Sequence, residues 1–317
     1  MMKVGGGYMT SKTRIPYQII DTLTQYEHLL ELGTTSKRED YFRYEIMGEI
    51  KVMWELLNVP LKPSKKNGYD ILMATQMLGY LSLDNDKLIE ESIKKLRKAG
   101  VLTSIENTLI KCLEKAENAD LRINANELKL GLYLADPEQT KQYHGFSGFG
   151  GIPGFITLNI FPNCYNLSRI EGVIAHEFHH NLRFSYMSWD HGNVTVGDYL
   201  VIEGLAESFA LELYGAEQLG PWVTTLDSDD LEYSLYVIGE ALDTKGFSEV
   251  SSYMFGDEIA KQQGYQPVGL SFCAGYAIGF EVVQAFLKKK NKTIYEATLL
   301  SSKEILKGSG LFSDYFN

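Results

Sequence analysis

The chain has 317 residues, of which 44% are hydrophobic and 22% charged, the composition of an ordinary soluble globular protein with room for two domains. That is enough apolar material to build a core without help from disulfides or metals. The net charge of −11 sits entirely beyond residue 120, where 13 basic residues face 24 acidic ones, against 17 and 17 before it; such a surface repels nucleic-acid phosphates.

The cysteines, Cys112, Cys164 and Cys273, are odd in number and widely spaced, which speaks against a disulfide framework and for a reducing compartment. The first 16 residues hold no continuous apolar run of the signal-peptide kind. The longest uncharged stretch, 262–280, is interrupted by Gln, Pro and Gly, a poor membrane span. A cytoplasmic protein with no membrane or nucleic-acid partner is expected.

Residues 17–118 read as mostly helical. One helix is expected over Tyr41–Leu57, ending before Pro60, then a polar breaker at 62–68. Helices follow at Asp86–Lys98 and Leu102–Ala116, separated by Gly100. Near residue 121 the period changes. Leu128–Leu134 alternates as a strand, residues 145–154 read as a glycine-rich loop, and Phe155–Phe161 reads as a second strand. In that strand Ile156, Leu158 and Ile160 share one face, and Phe155, Thr157 and Asn159 the other. Helical patterning then resumes. The expected fold class is α+β and predominantly helical. It divides into a helical part, 1–120, and a second domain, 121–317, with the helical part a candidate for binding a protein partner.

Chemistry concentrates in the second domain. Ser168–Tyr186 opens with Ser168 and Glu171 in capping-box spacing and continues as an apolar-striped helix. It contains His176, Glu177, Phe178, His179 and His180. Residues four apart share a helix face, so His176 and His180 can close on one ion, while Glu177 can face water and act as a general base. His179 is rotated about 100° from His180 and is not expected to be a ligand. Loop residue His191 reads as solvated, and His28 and His144 have no partner pattern.

A second helix, Thr195–Tyr214, ends at Gly215 and carries Glu203 and Glu207, again four apart among apolar neighbours. Three protein ligands and one open position describe a catalytic zinc site. Either glutamate could be the third ligand; the other would then hold a ligand imidazole from behind.

These residues resemble the gluzincin zinc peptidases: HEFHH followed, after 22 intervening residues, by Glu203-Gly-Leu-Ala-Glu207. IEGLAESF is similar to the NEGFAEYF stretch of large zinc aminopeptidases. Residues 128–311 are more similar still to a poorly characterised bacterial family of predicted Zn-dependent proteases. That family shares HE[FY]HH, EGLAE and a later AGYxxG helix, here Ala274–Gly279. The resemblance implies a zincin-like domain holding one zinc per chain on His176, His180 and Glu203, with Glu207 behind His176. It further implies peptide-bond hydrolysis through Glu177. In enzymes of this type an edge strand beside the zinc helix holds the substrate, a role open to Phe155–Phe161 with Thr157 and Asn159. Tyr276 is a candidate for stabilising the oxyanion, against a plain packing role for its glycine neighbours. Two other readings stay open: a zinc-binding regulatory protein without proteolysis, and a zinc hydrolase of a non-peptide amide or ester.

Overall fold

A computed structural model describes residues 15–65, 68–190, 192–224 and 226–316; the expectations for the first 14 residues and for His191 lie outside them. The described chain is mostly helical around one four-stranded sheet, the expected α+β class. Strand β1 (Tyr17–Ile20) leads into α1 (Thr22–Glu31), α2 (Thr35–Tyr41), α3 (Lys51–Leu56), α4 (Ile71–Met77), α5 (Asp86–Lys98) and α6 (Val101–Asn118). The single helix expected over Tyr41–Leu57 is interrupted. A π turn at Phe42–Ile46 and a 3-10 turn at Met47–Ile50 precede α3. The widened turn and the tightened turn offset each other, so Phe42, Ile46, Ile50 and Trp54 still fall on one buried stripe.

Strands β2 (Leu128–Leu134), β3 (Phe146–Ile152) and β4 (Phe155–Ile160) complete the sheet, in the order β1-β2-β4-β3. β1, β2 and β4 are parallel, which requires the long connections between them, and β3 is antiparallel to β4 across a tight hairpin. Two expectations change here. The glycine-rich stretch is a strand rather than a loop. And β4 cannot be the substrate-holding edge, because both its sides are already hydrogen-bonded; among the described residues the open edge on that side is β3.

The helices that follow are α7 (Cys164–Leu167), α8 (Ile170–Phe184), α9 (Val196–Tyr214), α10 (Pro221–Thr224), α11 (Ser228–Gly239), α12 (Phe247–Phe255), α13 (Asp257–Gln263), α14 (Ala274–Lys290), α15 (Ile294–Ala297) and α16 (Ser302–Ser309). The Ser168 capping box does not form. Ser168 donates instead to the Tyr165 carbonyl (2.9 Å), and Gln218 serves the start of α8, accepting from Gly172 N–H (3.2 Å) and donating to the Ser168 carbonyl (2.6 Å). The expected start of α9 holds: Thr195 and Asp198 form a capping box.

The expected boundary at 120/121 is crossed by backbone pairing and by packing. Tyr17 to Ile20 pair with Leu128 to Gly131, and Lys111 donates to the Leu213 carbonyl (2.8 Å). One cluster of buried apolar side chains includes residues from Ile20 to Phe312. Among the described residues no helix is long and apolar enough to cross a membrane.

Helices α8 and α9 pack on each other, and α14 covers α9. The α9–α14 approach is main chain against main chain. A methyl group added at Gly204 would overlap the Gly279 carbonyl, and one added at Gly279 would overlap the Leu200 carbonyl. Only glycine at both positions lets the helices come this close.

Candidate metal centre

α8 is buried nearly all round, from Ile170 to Arg183, so its polar side chains have to find partners inside the protein. Successive i, i+4 pairs do so in three directions.

His176 and His180 point at α9. Their Nε2 atoms are 2.9 Å apart, and Glu203 Oε2 lies 3.1 Å from the first and 3.4 Å from the second. One donor atom from each of the three residues lies within 4.8 Å of the others, and all three side chains are buried. Burial works against the charged form of His176, but hydrogen bonds to Glu203 and Glu207 outweigh it and lift its pKa well above the usual imidazole range. Burial works to raise the Glu203 carboxyl, and the His180 and His176 rings bring it down to about 2. Two imidazole nitrogens and a carboxylate oxygen therefore converge on a point that favours positive charge. This donor set fits a zinc ion with an open fourth position.

Glu207, one turn further along α9, lies behind His176, with Oε1 3.2 Å from His176 Nδ1. The same oxygen accepts the Trp222 indole N–H. The Trp222 ring meets His176 and Phe146 edge-on, at centroid distances of 5.8 and 5.6 Å.

Glu177 and Asn181 point at β3. Burial raises the Glu177 carboxyl pKa, partly countered by His176 and His180 and by a hydrogen bond from the Gly150 backbone. Gly148 and Gly150 lie so close above Glu177 that a methyl group at either would overlap it. Asn181 donates to the Gly150 and Phe155 carbonyls and accepts from Gly154 N–H, each at 2.7 Å, fastening the β3–β4 hairpin to α8.

His179 and Arg183 point elsewhere. Thr298 spends its hydroxyl proton on the Ile294 carbonyl (2.8 Å), so at 3.0 Å it accepts from His179 Nε2–H. Arg183 donates to the Thr298 carbonyl. Burial, then the nearby His180 and Arg183, push the His179 pKa well below its ordinary value. This histidine is a neutral core residue. His28 sits at the surface beside Glu31, and His144 stacks on Tyr165.

The metal end opens into a cleft of about 870 Å³ whose walls include His176, Glu177, Ser147, Gly148, Trp222 and Tyr276. Thr157 and Asn159 face it from β4. Tyr276 is half-buried, and desolvation followed by the Glu203 carboxylate raises its pKa well above the phenol range. Tyr199 hydrogen-bonds it and is raised in the same way. The sequence reading missed Tyr199, although it stands four residues before Glu203 and so on the same helix face. It also missed Trp222 and Asn181; for Trp222 no spacing signal exists, because the fold alone brings α10 to Glu207.

A buried pair of histidines and a glutamate, displayed by two packed helices over a sheet, defines a candidate metal protein of the His-Glu-x-x-His kind. The chain belongs to the family described as predicted Zn-dependent protease (DUF2268), whose model matches residues 101–307. It is 54% identical over 292 residues to uncharacterized protein YjfC of Bacillus subtilis (strain 168), covering 92% of this chain and 97% of that one. It is also 31% identical over 121 residues to uncharacterized protein YjaZ of the same organism, covering 37% and 42% of the two chains. A match of 292 residues cannot fit beyond residue 120, so the likeness to YjfC extends well into the N-terminal helices. No solved structure matches the chain.

Proposed function

We propose that the protein is a gluzincin-type, zincin-like zinc metallopeptidase holding one zinc per chain on His176, His180 and Glu203. The observation that carries this reading is the convergence of those three donors beside Glu177 in the wall of one cleft. A zinc ion there supplies Lewis acidity toward a scissile carbonyl and toward water.

The chain's own groups do the rest. Glu177, with its carboxyl pKa raised by burial, takes the proton from the attacking water as the new C–O bond forms. It then passes that proton to the amide nitrogen as the C–N bond breaks. Glu207 orients His176, and Trp222 holds Glu207. Tyr276, with Tyr199 bonded to it, presents a neutral phenol to the oxyanion. The open edge of β3 pairs with an extended peptide by backbone hydrogen bonds, while Thr157 and Asn159 contact it from the cleft wall. We place the protein in the cytoplasm.

The test is zinc content by atomic emission together with hydrolysis of a mixed peptide library read by mass spectrometry. Glu177→Gln keeps the fold and one zinc and loses about 10²–10⁴-fold in turnover, since an amide cannot accept the proton. Wild-type rates from that variant on the best peptide would sink the mechanism.

A further inference from the structure

The cleft does not stop at the metal end. It continues to a stretch supplied by the N-terminal part of the chain, where Trp54, Leu57, Met77 and Leu78 line the same volume as Phe255 and Ile259. This stretch of wall is apolar, yet much of it lies open. Met77 is 75% exposed, Leu78 54% and Leu57 37%. Large apolar side chains gathered on a concave surface mark a binding region rather than a core. Methionine is suited to such a place because its unbranched chain adapts to what it meets.

The wall is also fixed in position relative to the reacting groups. Leu81 N–H donates to the Leu134 carbonyl and Asp136 N–H to the Gly79 carbonyl, both at 2.8 Å, which ties the turn after α4 to the end of β2. The Tyr80 side chain hydrogen-bonds Thr157 and Asn159, the two residues that face the cleft from β4. A segment with no visible chemistry of its own is thus keyed to the cleft wall.

We propose that Leu57, Met77 and Leu78 form a specificity subsite that takes a large apolar side chain of an extended peptide lying in the cleft. The identity of the occupant rests on the peptidase reading; the existence of the subsite does not. Continuity of the volume with His176 and Glu177 selects a peptide passing through the cleft over a protein docked outside it.

The experiment uses the full, zinc-loaded chain and the double variant Met77→Glu/Leu78→Glu, whose two side chains are exposed enough to change without disturbing the core. Two blocked ten-residue peptides serve as probes, one carrying leucine and phenylalanine at alternate positions, the other glutamine at the same positions. Binding is measured by calorimetry in the Glu177→Gln background, and cleavage preference with a positional peptide library in the active background. The apolar probe binds more tightly than its twin, and the double variant loses roughly tenfold to hundredfold in affinity for it alone, the worth of one buried apolar side chain. The library shows an apolar preference at one fixed distance from the cut, and the double variant removes it.

Binding that discriminates in this way without any cleavage leaves the subsite standing and removes the peptidase reading. Cleavage with the same preference and affinity in both proteins, or binding of neither probe, overturns the subsite. Self-association in sedimentation velocity that the double variant abolishes places a second copy on this wall and overturns it as well.

Discussion

Two strips of α8 each carry histidine into the interior, and they differ in what meets them. His176 and His180 face the carboxylate of Glu203, with Glu207 behind the first ring. His179, beside Arg183, meets a threonine hydroxyl whose proton is already committed to a carbonyl. Both places are buried, so burial does not separate a site from a core. The partner does. Neutral acceptors fix one tautomer of a neutral ring, whereas carboxylates facing two ring nitrogens create a place for a cation.

Metal content draws the comparison most sharply. His176→Ala and His180→Ala are expected to purify without zinc, and His179→Ala to retain one zinc per chain. Equal loss from all three, measured by atomic emission, would erase the distinction between the strips.

The next effect is smaller and lies within the metal strip. On the proposed ligand set, Glu203→Ala should release zinc under mild chelation. Glu207→Ala removes the group behind His176, and retains zinc with affinity lowered about 10–100-fold. Competition with a chromophoric chelator ranks the two, and the reverse order would make Glu207 the ligand.

The smallest effect concerns the other strip. The His179 pKa is depressed in the folded protein, so near and below the ordinary histidine value of about 6.5 the unfolded chain binds a proton that the folded chain refuses. The stability contributed by neutral His179 is complete above that value and is lost as the pH falls below it. His179→Gln should lower stability at pH 7.5, by about 1–3 kcal/mol for a disturbed buried hydrogen bond, and flatten the decline between about pH 6.5 and 5. Urea titrations across that range, with chelator present throughout so that the metal ligands are empty in both proteins, give the two slopes. Parallel slopes would mean that His179 is not the group responsible.

How much of this could be read from the residues follows from the range of each signal. The α8 and α9 motifs are local: i, i+4 spacing on a helix decides which side chains travel together, so His176, His180, Glu203 and Glu207 were legible as a set. So was the odd placement of His179. Sheet order is not local. The alternation in Phe155–Phe161 announces a strand but not its neighbours, and the edge therefore passed unnoticed to β3, whose Gly148, Gly150 and Gly151 read as loop. Gly148 and Gly150 are there because Glu177 lies beneath. The four residues of β1 carry too short a pattern to separate from the helices after them, and the division at residue 120 was drawn without the strand pairing that spans it. The apolar wall of Met77 and Leu78 looked like ordinary helix, because exposure is a property of the assembled chain.

The glycine contact between α9 and α14 has a consequence for tolerance to change. Side chains in a core can exchange volume with one another, and helices resting on side chains drift apart or together as they do. Carbonyl resting on α-carbon has no rotamer to adjust. Glu203 stands next to Gly204, and Tyr276 one turn before Gly279, so their separation is set by the backbone itself. The surrounding core can vary in sequence while that one spacing stays where it is.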